Sequence, residues 1–319
     1  MAVDAPAKVR FAGDPAKTFD RRRPDGHGPR DTVRSFRTAA TLGWRIEANW
    51  TDPTLFLIYS VAKPLAAALL LIVMLDVVGG AAARQLRGFV IVGSALWAFV
   101  QSGMSGLAQA VLEDRERYRM LKYLCVSPEG LVVLLLGRGA ARILIGAFAA
   151  AITLVFGIAF VGVRFDPLGI DWLLLVSASA IGFVSIVALG MAMAAVCLQS
   201  RQEAWSYPEA VAGALFLLCG VVFPLAVLPQ FVQAVGLAIP ITWWIEAVRD
   251  AVLAGAPSSI GGPGSLWTSV TGSARPDATT LLIALLATGA VGTLASALLF
   301  RISERRAKAR GLLDQTTGS

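Results

Sequence analysis

The chain has 319 residues, of which 56% are hydrophobic and only 15% are charged, and its mean hydropathy is +0.68. Soluble domains are typically about 45–50% apolar and about 25% charged, so this composition excludes an ordinary soluble domain and indicates a polytopic membrane protein. The net charge of +7 does not indicate a nucleic-acid-binding surface, because the basic residues cluster beside apolar segments, as membrane topology signals do.

The N-terminal part is polar and then amphipathic. Residues 1–32 predict a disordered cytosolic tail, because they carry too little apolar surface to fold alone and contain no apolar core of a signal peptide. Residues 33–52 predict an amphipathic helix that lies in the headgroup layer, with apolar residues near one face and arginines mostly on another. The residues expected at this interface are Phe36, Trp44, Arg45 and Trp50.

Apolar segments long enough to cross a bilayer follow, since about 20 helical residues span the hydrocarbon core. They cover residues 55–79, 88–112, 129–163, 171–198, 206–222 and 279–300. If the N-terminus lies inside, 23 of the 28 Lys and Arg residues lie on the inner side. This asymmetry predicts an all-α polytopic membrane protein with six crossings, both ends in the cytosol and residues 303–319 as a second cytosolic tail.

A charged segment, residues 113–127, separates the second apolar segment from the third. Its first residues are all charged, namely Glu113, Asp114, Arg115, Glu116 and Arg117. Tyr118 and Leu121 then follow at helical spacing, and Ser127-Pro128 interrupts the chain before the next apolar run. A short amphipathic helix on the inner side is suited to being pushed by a soluble partner. An ordinary cytoplasmic loop has a similar pattern, and the segment alone does not decide between the two.

The second apolar segment ends in a stretch of small and polar residues. Residues 101–109 read Gln-Ser-Gly-Met-Ser-Gly-Leu-Ala-Gln. Small residues let helices approach closely and polar ones form hydrogen bonds between helices, which is the more common use of such a stretch. Lining a path through the membrane is the alternative.

Residues 223–254 form an apolar stretch that is cut into pieces too short to span a bilayer. The residues that cut it are Pro224, Pro229 and Pro240. Short apolar helices between such breaks predict a broken, re-entrant hairpin, here on the outer side. Trp243 and Trp244 are expected in the interfacial aromatic belt. Glu246 and Arg249 are three residues apart and can form an ion pair.

Residues suited to catalysis or metal binding are sparse. The cysteines, Cys125, Cys197 and Cys219, are scattered, and the single histidine, His27, lies in the polar tail, so neither a disulfide framework nor a metal site is predicted. The sequence contains no Gly-x-x-x-x-Gly-Lys-Ser/Thr loop, and none of its five lysines follows a glycine. Hydrolysis of ATP by that route therefore requires another chain.

The order of these elements resembles the membrane subunit, or permease, of ABC-type exporters of the type 2 class, which includes drug-efflux and polysaccharide-export members. Residues 113–128 are similar to the coupling segment of that family. Phe223-Pro-Leu-Ala-Val-Leu-Pro229, Pro240-Ile-Thr242 and Glu246-Ala-Val-Arg249 match its pattern before the last span. The resemblance covers residues 33–302, and one departure is Tyr118, where many members carry a small residue.

The resemblance implies a half-transporter in the plasma membrane of a prokaryote. Two permease copies, identical or different, would combine with two cytosolic ATP-binding subunits, which bind the ATP and Mg, while this chain has no catalytic residue or cofactor. A hydrophobic drug-like molecule, a lipid or a glycolipid would be moved outward. The charges of residues 113–117 would dock the motor electrostatically, so charge reversal at Glu113, Glu116 and Arg117 would uncouple ATP hydrolysis from transport.

Other function classes fit the sequence less well. An ATP-independent secondary transporter or channel usually places charged residues at the membrane midplane, and the last three apolar segments contain almost none. An intramembrane enzyme would need a cluster of catalytic side chains at depth. A membrane scaffold without transport activity is a further alternative. Aromatic residues, which stack on sugars, make up 8% of the chain, and this favours a small hydrophobic drug or lipid over a polysaccharide as cargo.

Overall fold

The structure, a computed structural model, describes residues 29–48, 53–79, 83–126, 130–162, 168–200, 204–253 and 255–310. These ranges contain helices and connecting turns and no strand. The α-helices are α1 (Pro29–Ala48), α2 (Pro53–Gly79), α3 (Ala83–Leu112), α4 (Leu121–Val126), α5 (Leu131–Val161), α6 (Trp172–Gln199), α7 (Ser206–Leu218), α8 (Gln230–Leu237), α9 (Pro240–Val252), α10 (Leu266–Thr271) and α11 (Ala278–Ala309). The prediction of an all-α membrane protein is confirmed.

Four stretches of the described residues are long and apolar enough to cross a membrane. They are Leu86–Arg117, Leu131–Val161, Trp172–Gln199 and Ala278–Ala309. The pair α8 and α9, bent by 83°, counts as a fifth if it is taken as one broken span. The remaining apolar helical stretches, Leu65–Val77 in α2 and Ser206–Leu218, are shorter. The structure thus contains four or five helices of spanning length where six crossings were expected from the sequence.

The amphipathic helix predicted for residues 33–52 occupies different bounds. Helix α1 begins at Pro29, inside the segment expected to be a disordered tail, and ends at Ala48. Proline suits the start of a helix because its fixed φ is already helical and its missing N–H would have no helical partner there. Trp50 and residues 1–28 and 311–319 lie outside the described residues.

Helix α3 lies at the centre of the bundle and packs on α2, α5 and α6. One face of its Gly- and Ser-rich stretch contacts α5 and α6. Gly103 lies against Ile186 of α6, and Leu107, which is fully buried, lies against glycines of both α5 and α6. Because a glycine has no side chain to hold the helices apart, the backbones approach closely. Close packing, the more common use of such a stretch, is confirmed for this face.

The second arm of the broken hairpin is inserted into the protein. In α9, Trp243 is 5% exposed and Trp244 is 3% exposed. The expectation that these two side chains belong to a lipid-facing aromatic belt is wrong, because α9 packs against α6 and α11 rather than lying at the surface. Gly182 of α6 makes room for the Trp244 indole, and the ring of Phe99 of α3 lies near it, with ring centroids 6.0 Å apart.

Substituting Gly182 with alanine is expected to lower the free energy of unfolding by about 1–3 kcal/mol, because a Cβ atom there overlaps the Trp244 indole. Gly213→Ala in α7 is the matched control, since nothing lies within 4 Å of a Cβ at that position. Alanine is the better helix former, so the control is expected to be neutral or stabilising. Reversible unfolding in mixed micelles measures both variants, and equal shifts would contradict the tight contact.

Candidate functional site

The charged segment after α3 forms a tight turn. Residues Glu113–Arg117 continue α3 as one turn of π-helix, a rare conformation that often lies at functional sites. Arg119 then has a φ of +51°, the only positive φ of a non-glycine residue in the described chain, and α4 begins two residues later. A left-handed residue with a side chain costs about 1–2 kcal/mol. Tyr118, the departure from the family pattern, has right-handed backbone angles, so the sharp change in direction lies at Arg119.

The acidic residues of this turn face the interior of the protein. Asp114 is fully buried, and Arg138 of α5 donates a hydrogen bond of 2.8 Å to its carboxylate. The same guanidinium lies 3.6 Å from Glu113, and Arg142, one turn further along α5, pairs with Glu113 at 2.7 Å. Arg142 also pairs with Glu47 of α1 at 2.5 Å. A continuous chain of alternating charges therefore joins the π-helical turn, α5 and α1.

The basic residue in the middle of the turn holds a second group of elements. The buried Arg115 donates hydrogen bonds to the backbone carbonyl oxygens of Cys197, at 3.0 Å, and of Ser200, at 2.8 Å, at the end of α6. It also pairs with Glu116 at 2.9 Å. The Trp205 indole, just before α7, donates to the other oxygen of Glu116 at 3.0 Å. Through these two charge networks the π-helical turn is linked directly to α5, α6 and the start of α7, and to α1 through Arg142.

This arrangement corrects the expected exposure of the charges. Glu113, Asp114, Arg115 and Glu116 were expected to form an exposed charged face, but Asp114 and Arg115 are buried and the two glutamates are half-buried in internal ion pairs. Exposed side chains begin at the next residue. They are Arg117, Tyr118, Arg119, Lys122 and Tyr123, and we call them the basic face. Leu121 is buried and anchors α4, and Ser127 and Pro128 lie outside the described residues.

Helix α1 lies along α5 next to the basic face. The two helices approach closely where Gly137 lies against Ala39 and the carbonyl of Phe36. The side chains of Phe36, Trp44 and Arg45 are exposed, as an interfacial helix requires. A cleft of about 290 Å³ lies between α1, α4 and α5, and Arg34, Met120 and Arg138 are among its lining residues.

The broken hairpin is formed as its prolines predict. Pro224 precedes a short 3₁₀ turn, Leu225–Val227, Pro229 precedes α8, and Pro240 is the first residue of α9. Each proline therefore starts a new helical piece, where the missing N–H costs no hydrogen bond. The bend of 83° between α8 and α9 follows at residues 238–239.

An ion pair inside the hairpin holds it to neighbouring segments. Glu246 and Arg249 lie 3.8 Å apart, as expected from their spacing, but each has closer partners. The Glu246 carboxylate accepts hydrogen bonds from the Ser258 hydroxyl, from the Ser259 amide at 2.9 Å and from the Ser259 hydroxyl at 2.6 Å. The Arg249 guanidinium donates to the carbonyls of Gly220 and Val221, and its centre lies 3.6 Å from the centroid of the Phe89 ring. Few groups in α9 are left to hold a cargo.

These elements correspond to a known family. Residues 39–253 match the family described as ABC-2 type transporter. The chain belongs to the ABC-2 type transporter family. A comparison with curated proteins gives no match. Family members are membrane subunits of ABC transport systems that are generally not catalytic themselves and typically pair with an ATP-binding subunit. The resemblance noted in the sequence is thereby confirmed, and the family favours an ABC permease over a secondary transporter or channel.

The matched region of the ABC-2 permease contains both charge networks and the broken hairpin, while α11 follows it. Four members of the networks were not predicted from the sequence, namely Glu47, Arg138, Arg142 and Trp205. None of these four is among the candidate residues named from the sequence. The signal available for the arginines was two cations four residues apart on one face of an apolar helix, which implies nearby anionic partners.

Proposed function

We propose that this ABC-2 permease is the membrane subunit of an ATP-driven exporter and that its motor, a separate ATP-binding subunit, docks on the basic face. Closure of the motor on ATP pushes α4 and the π-helical turn, and the turn passes this displacement to the helices it contacts. The observation that carries the proposal is the position of the basic face. It is exposed on one side, and on the other it adjoins a buried network that joins four helices.

The connection between the basic face and the bundle is stiff enough to transmit a push. Buried ion pairs that are also hydrogen-bonded have strict geometry, and interiors are packed too densely to absorb a displacement locally. A movement of the turn therefore changes the positions of α1, α5, α6 and α7 together. This is the kind of rigid-body motion that opens and closes membrane transporters.

The chemistry of the basic face indicates the surface it binds. Residues 117–123 contain three cations and no acidic residue, and Tyr118 and Tyr123 lie beside Arg117 and Lys122 at 5.6 Å and 5.5 Å. Arginine and tyrosine are enriched among the residues that contribute most to protein interfaces. The docking surface of the motor is therefore acidic, and the adjoining cleft between α1, α4 and α5 receives one of its side chains.

The remaining parts of the proposal concern direction, cargo and assembly. The cargo is a hydrophobic drug-like molecule or a lipid, because the apolar segments consist mainly of Ala, Leu, Val and Gly. Two permease copies, identical or different, cross the plasma membrane of a prokaryote six times each, with both ends in the cytosol, and the partner subunits bind ATP and Mg. The broken hairpin closes the path on the outer side. ATP hydrolysis by the partner subunits moves cargo outward.

Charge reversal on the basic face tests the proposal. The triple variant Arg117→Glu/Arg119→Glu/Lys122→Glu is expected to weaken the association with the ATP-binding subunit at least about tenfold, because three favourable charge contacts become repulsive. The measurement is the ATPase activity that co-purifies with the tagged permease from membranes of its own host. Active transport is expected to be lost in the same variant.

The matched control reverses three exposed cations on a neighbouring helix, whose Ala307 lies in the same apolar cluster as Leu121 of α4. Arg305, Arg306 and Arg310 lie at the end of α11, and their change to glutamate alters the net charge equally. This control is expected to retain the co-purified ATPase. If the basic-face variant also retained it at the wild-type level, the docking assignment would be wrong.

A further inference from the structure

A cavity of about 340 Å³ lies between α2, α3, α5 and α7, away from the basic face. Its volume falls at the lower end of the range of small-molecule sites. The lining residues that decide its chemistry are Trp97, Gln101, Ser105, Gln109, Glu209 and Phe216. Most of the other lining residues are small or aliphatic, and none is basic.

Most of the polar residues of this cavity come from the Gly- and Ser-rich stretch of α3. Gln101, Ser105 and Gln109 are four residues apart and share one face of the helix, while Gly103 and Leu107 on another face pack against neighbouring helices. Within the described residues, the side chains of Gln101, Ser105 and Gln109 make no hydrogen bond. Unpaired amide and hydroxyl groups are costly inside a membrane protein unless they meet water or a ligand. One face of this stretch therefore packs against neighbouring helices, and another face lines the cavity.

The two ends of the cavity differ in character. Helices α3 and α7 run antiparallel, because Glu116 beyond the end of α3 bonds to Trp205 before the start of α7, and Trp97 contacts Phe216 with ring centroids 5.5 Å apart. Glu209 therefore lies toward the same end as Gln109. Glu209 and Phe216 are two helical turns apart, about 10 Å along α7. The cavity has a carboxylate and an amide at one end and two aromatic rings at the other.

We propose that this cavity binds amphiphilic cations, and this inference rests on the proposed function as an exporter. Glu209 neutralises the cationic head of the ligand, and the polar side chains of α3 form hydrogen bonds or water-mediated contacts with it. Trp97 and Phe216 contact the apolar body of the ligand. Glu209 is exposed to the cavity, has no ion-pair partner within the described residues and is the only ionisable residue that lines this space. An acidic residue without a cation in an apolar bundle attracts a cationic ligand, whereas it repels an anionic one of the same shape.

Glu209 also has a structural role that the test must separate from binding. It lies in the first turn of α7, where a negative charge stabilises the positive end of the helix dipole. Asp31 also lies in the first turn of its helix, α1, and it lies outside the cavity, so Asp31→Asn is a matched control.

The probes are tetraphenylphosphonium and tetraphenylborate, which have nearly the same size and shape and opposite charge. Equilibrium dialysis measures their binding to the full chain in nanodiscs of neutral lipid, with empty nanodiscs as the reference. The wild-type chain is expected to bind the phosphonium in preference to the borate. Glu209→Gln is expected to weaken phosphonium binding at least about tenfold, the loss of one charge-assisted contact, while Asp31→Asn leaves it unchanged.

Two results would overturn the inference. One is equal phosphonium binding by the wild-type chain and Glu209→Gln, or no binding by either. The other result uses Gln109→Cys in a background without native cysteines. If a disulfide forms between two copies and phosphonium does not inhibit it, a second copy fills the cavity. Neither result bears on the docking proposal, because neither measurement involves the ATP-binding subunit. Conversely, if the basic-face variant contradicted the docking proposal, the measured phosphonium binding would be unaffected.

Discussion

Substituting Arg138 with alanine is expected to lower the free energy of unfolding by about 3–5 kcal/mol, because it leaves the carboxylate of Asp114 buried without its cation. The Asp114 side chain has no exposed surface, and the Arg138 side chain is 4% exposed, so water cannot replace the lost partner. Glu113 loses its more distant contact at 3.6 Å but keeps Arg142. Reversible unfolding in mixed micelles measures the change.

An exposed ion pair provides the comparison for Arg138. Lys308 and Glu304 pair at 2.7 Å on α11, but their side chains are 46% and 23% exposed. Lys308→Ala is expected to lower the free energy of unfolding by less than about 1 kcal/mol, because solvent screens exposed ion pairs. If Lys308→Ala and Arg138→Ala destabilised the protein equally, the buried network would not be the stiff element that transmission of the push requires.

A double substitution separates stability from coupling at the same site. In Arg138→Met/Asp114→Leu both buried charges are removed together, and stability is expected to return to near the wild-type value because no charge is left unpaired. The link between the π-helical turn and α5 is then reduced to Glu113 and Arg142. We expect the motor to stay bound to this variant, while the transport per ATP hydrolysed falls.

Substituting Glu246 with alanine in the broken hairpin is expected to lower the free energy of unfolding by a similar amount, about 3–5 kcal/mol. The substitution removes the acceptor of the bonds from Ser258 and Ser259, and it leaves the buried Arg249 without its carboxylate. Arg249 keeps its bonds to two backbone carbonyls. The loop that follows α9 is then expected to open more often than α9 itself, since it loses its main attachment to the hairpin.

Hydrogen exchange provides the specific measurement for this hairpin variant. The Ser259 amide donates to Glu246 at 2.9 Å, so its exchange is expected to accelerate in Glu246→Ala. Ser269→Ala is the control, because the hydroxyl of Ser269 makes an exposed bond within its own short helix. Unchanged protection at Ser259 in Glu246→Ala would show that the carboxylate does not hold the loop.

The local features of this fold could be predicted from the sequence because their causes lie within a few residues. Pro224, Pro229 and Pro240 start helical pieces by the geometry of their own rings, and the long apolar runs form helices wherever their length and composition require it. The Glu246–Arg249 pair follows from a spacing of three residues. Such inferences need no knowledge of which helix packs on which.

The ion-pair partners of the charged residues could not be predicted, because these partners are distant in the sequence and only the fold brings them together. Asp114 meets Arg138, 24 residues later, and Arg142 meets Glu47, 95 residues earlier. From the sequence these residues suggested a charged outer surface, whereas the fold turns them inward and exposes the next residues, from Arg117 to Tyr123. The prediction that Trp243 and Trp244 lie in the interfacial aromatic belt was wrong for the same reason, since only the neighbours of α9 decide whether it faces lipid or protein.

The sequence by itself therefore determined the membrane class, the order of the helices, the breaks between α7 and α9 and the resemblance to ABC-2 permeases, all of which depend on composition and short-range geometry. Only the tertiary structure decided which charges are internal, which cations form the basic face, and which side of residues 101–109 packs while the other lines a cavity. A helical sequence shows that two faces exist, but the packing of distant helices decides what each face meets.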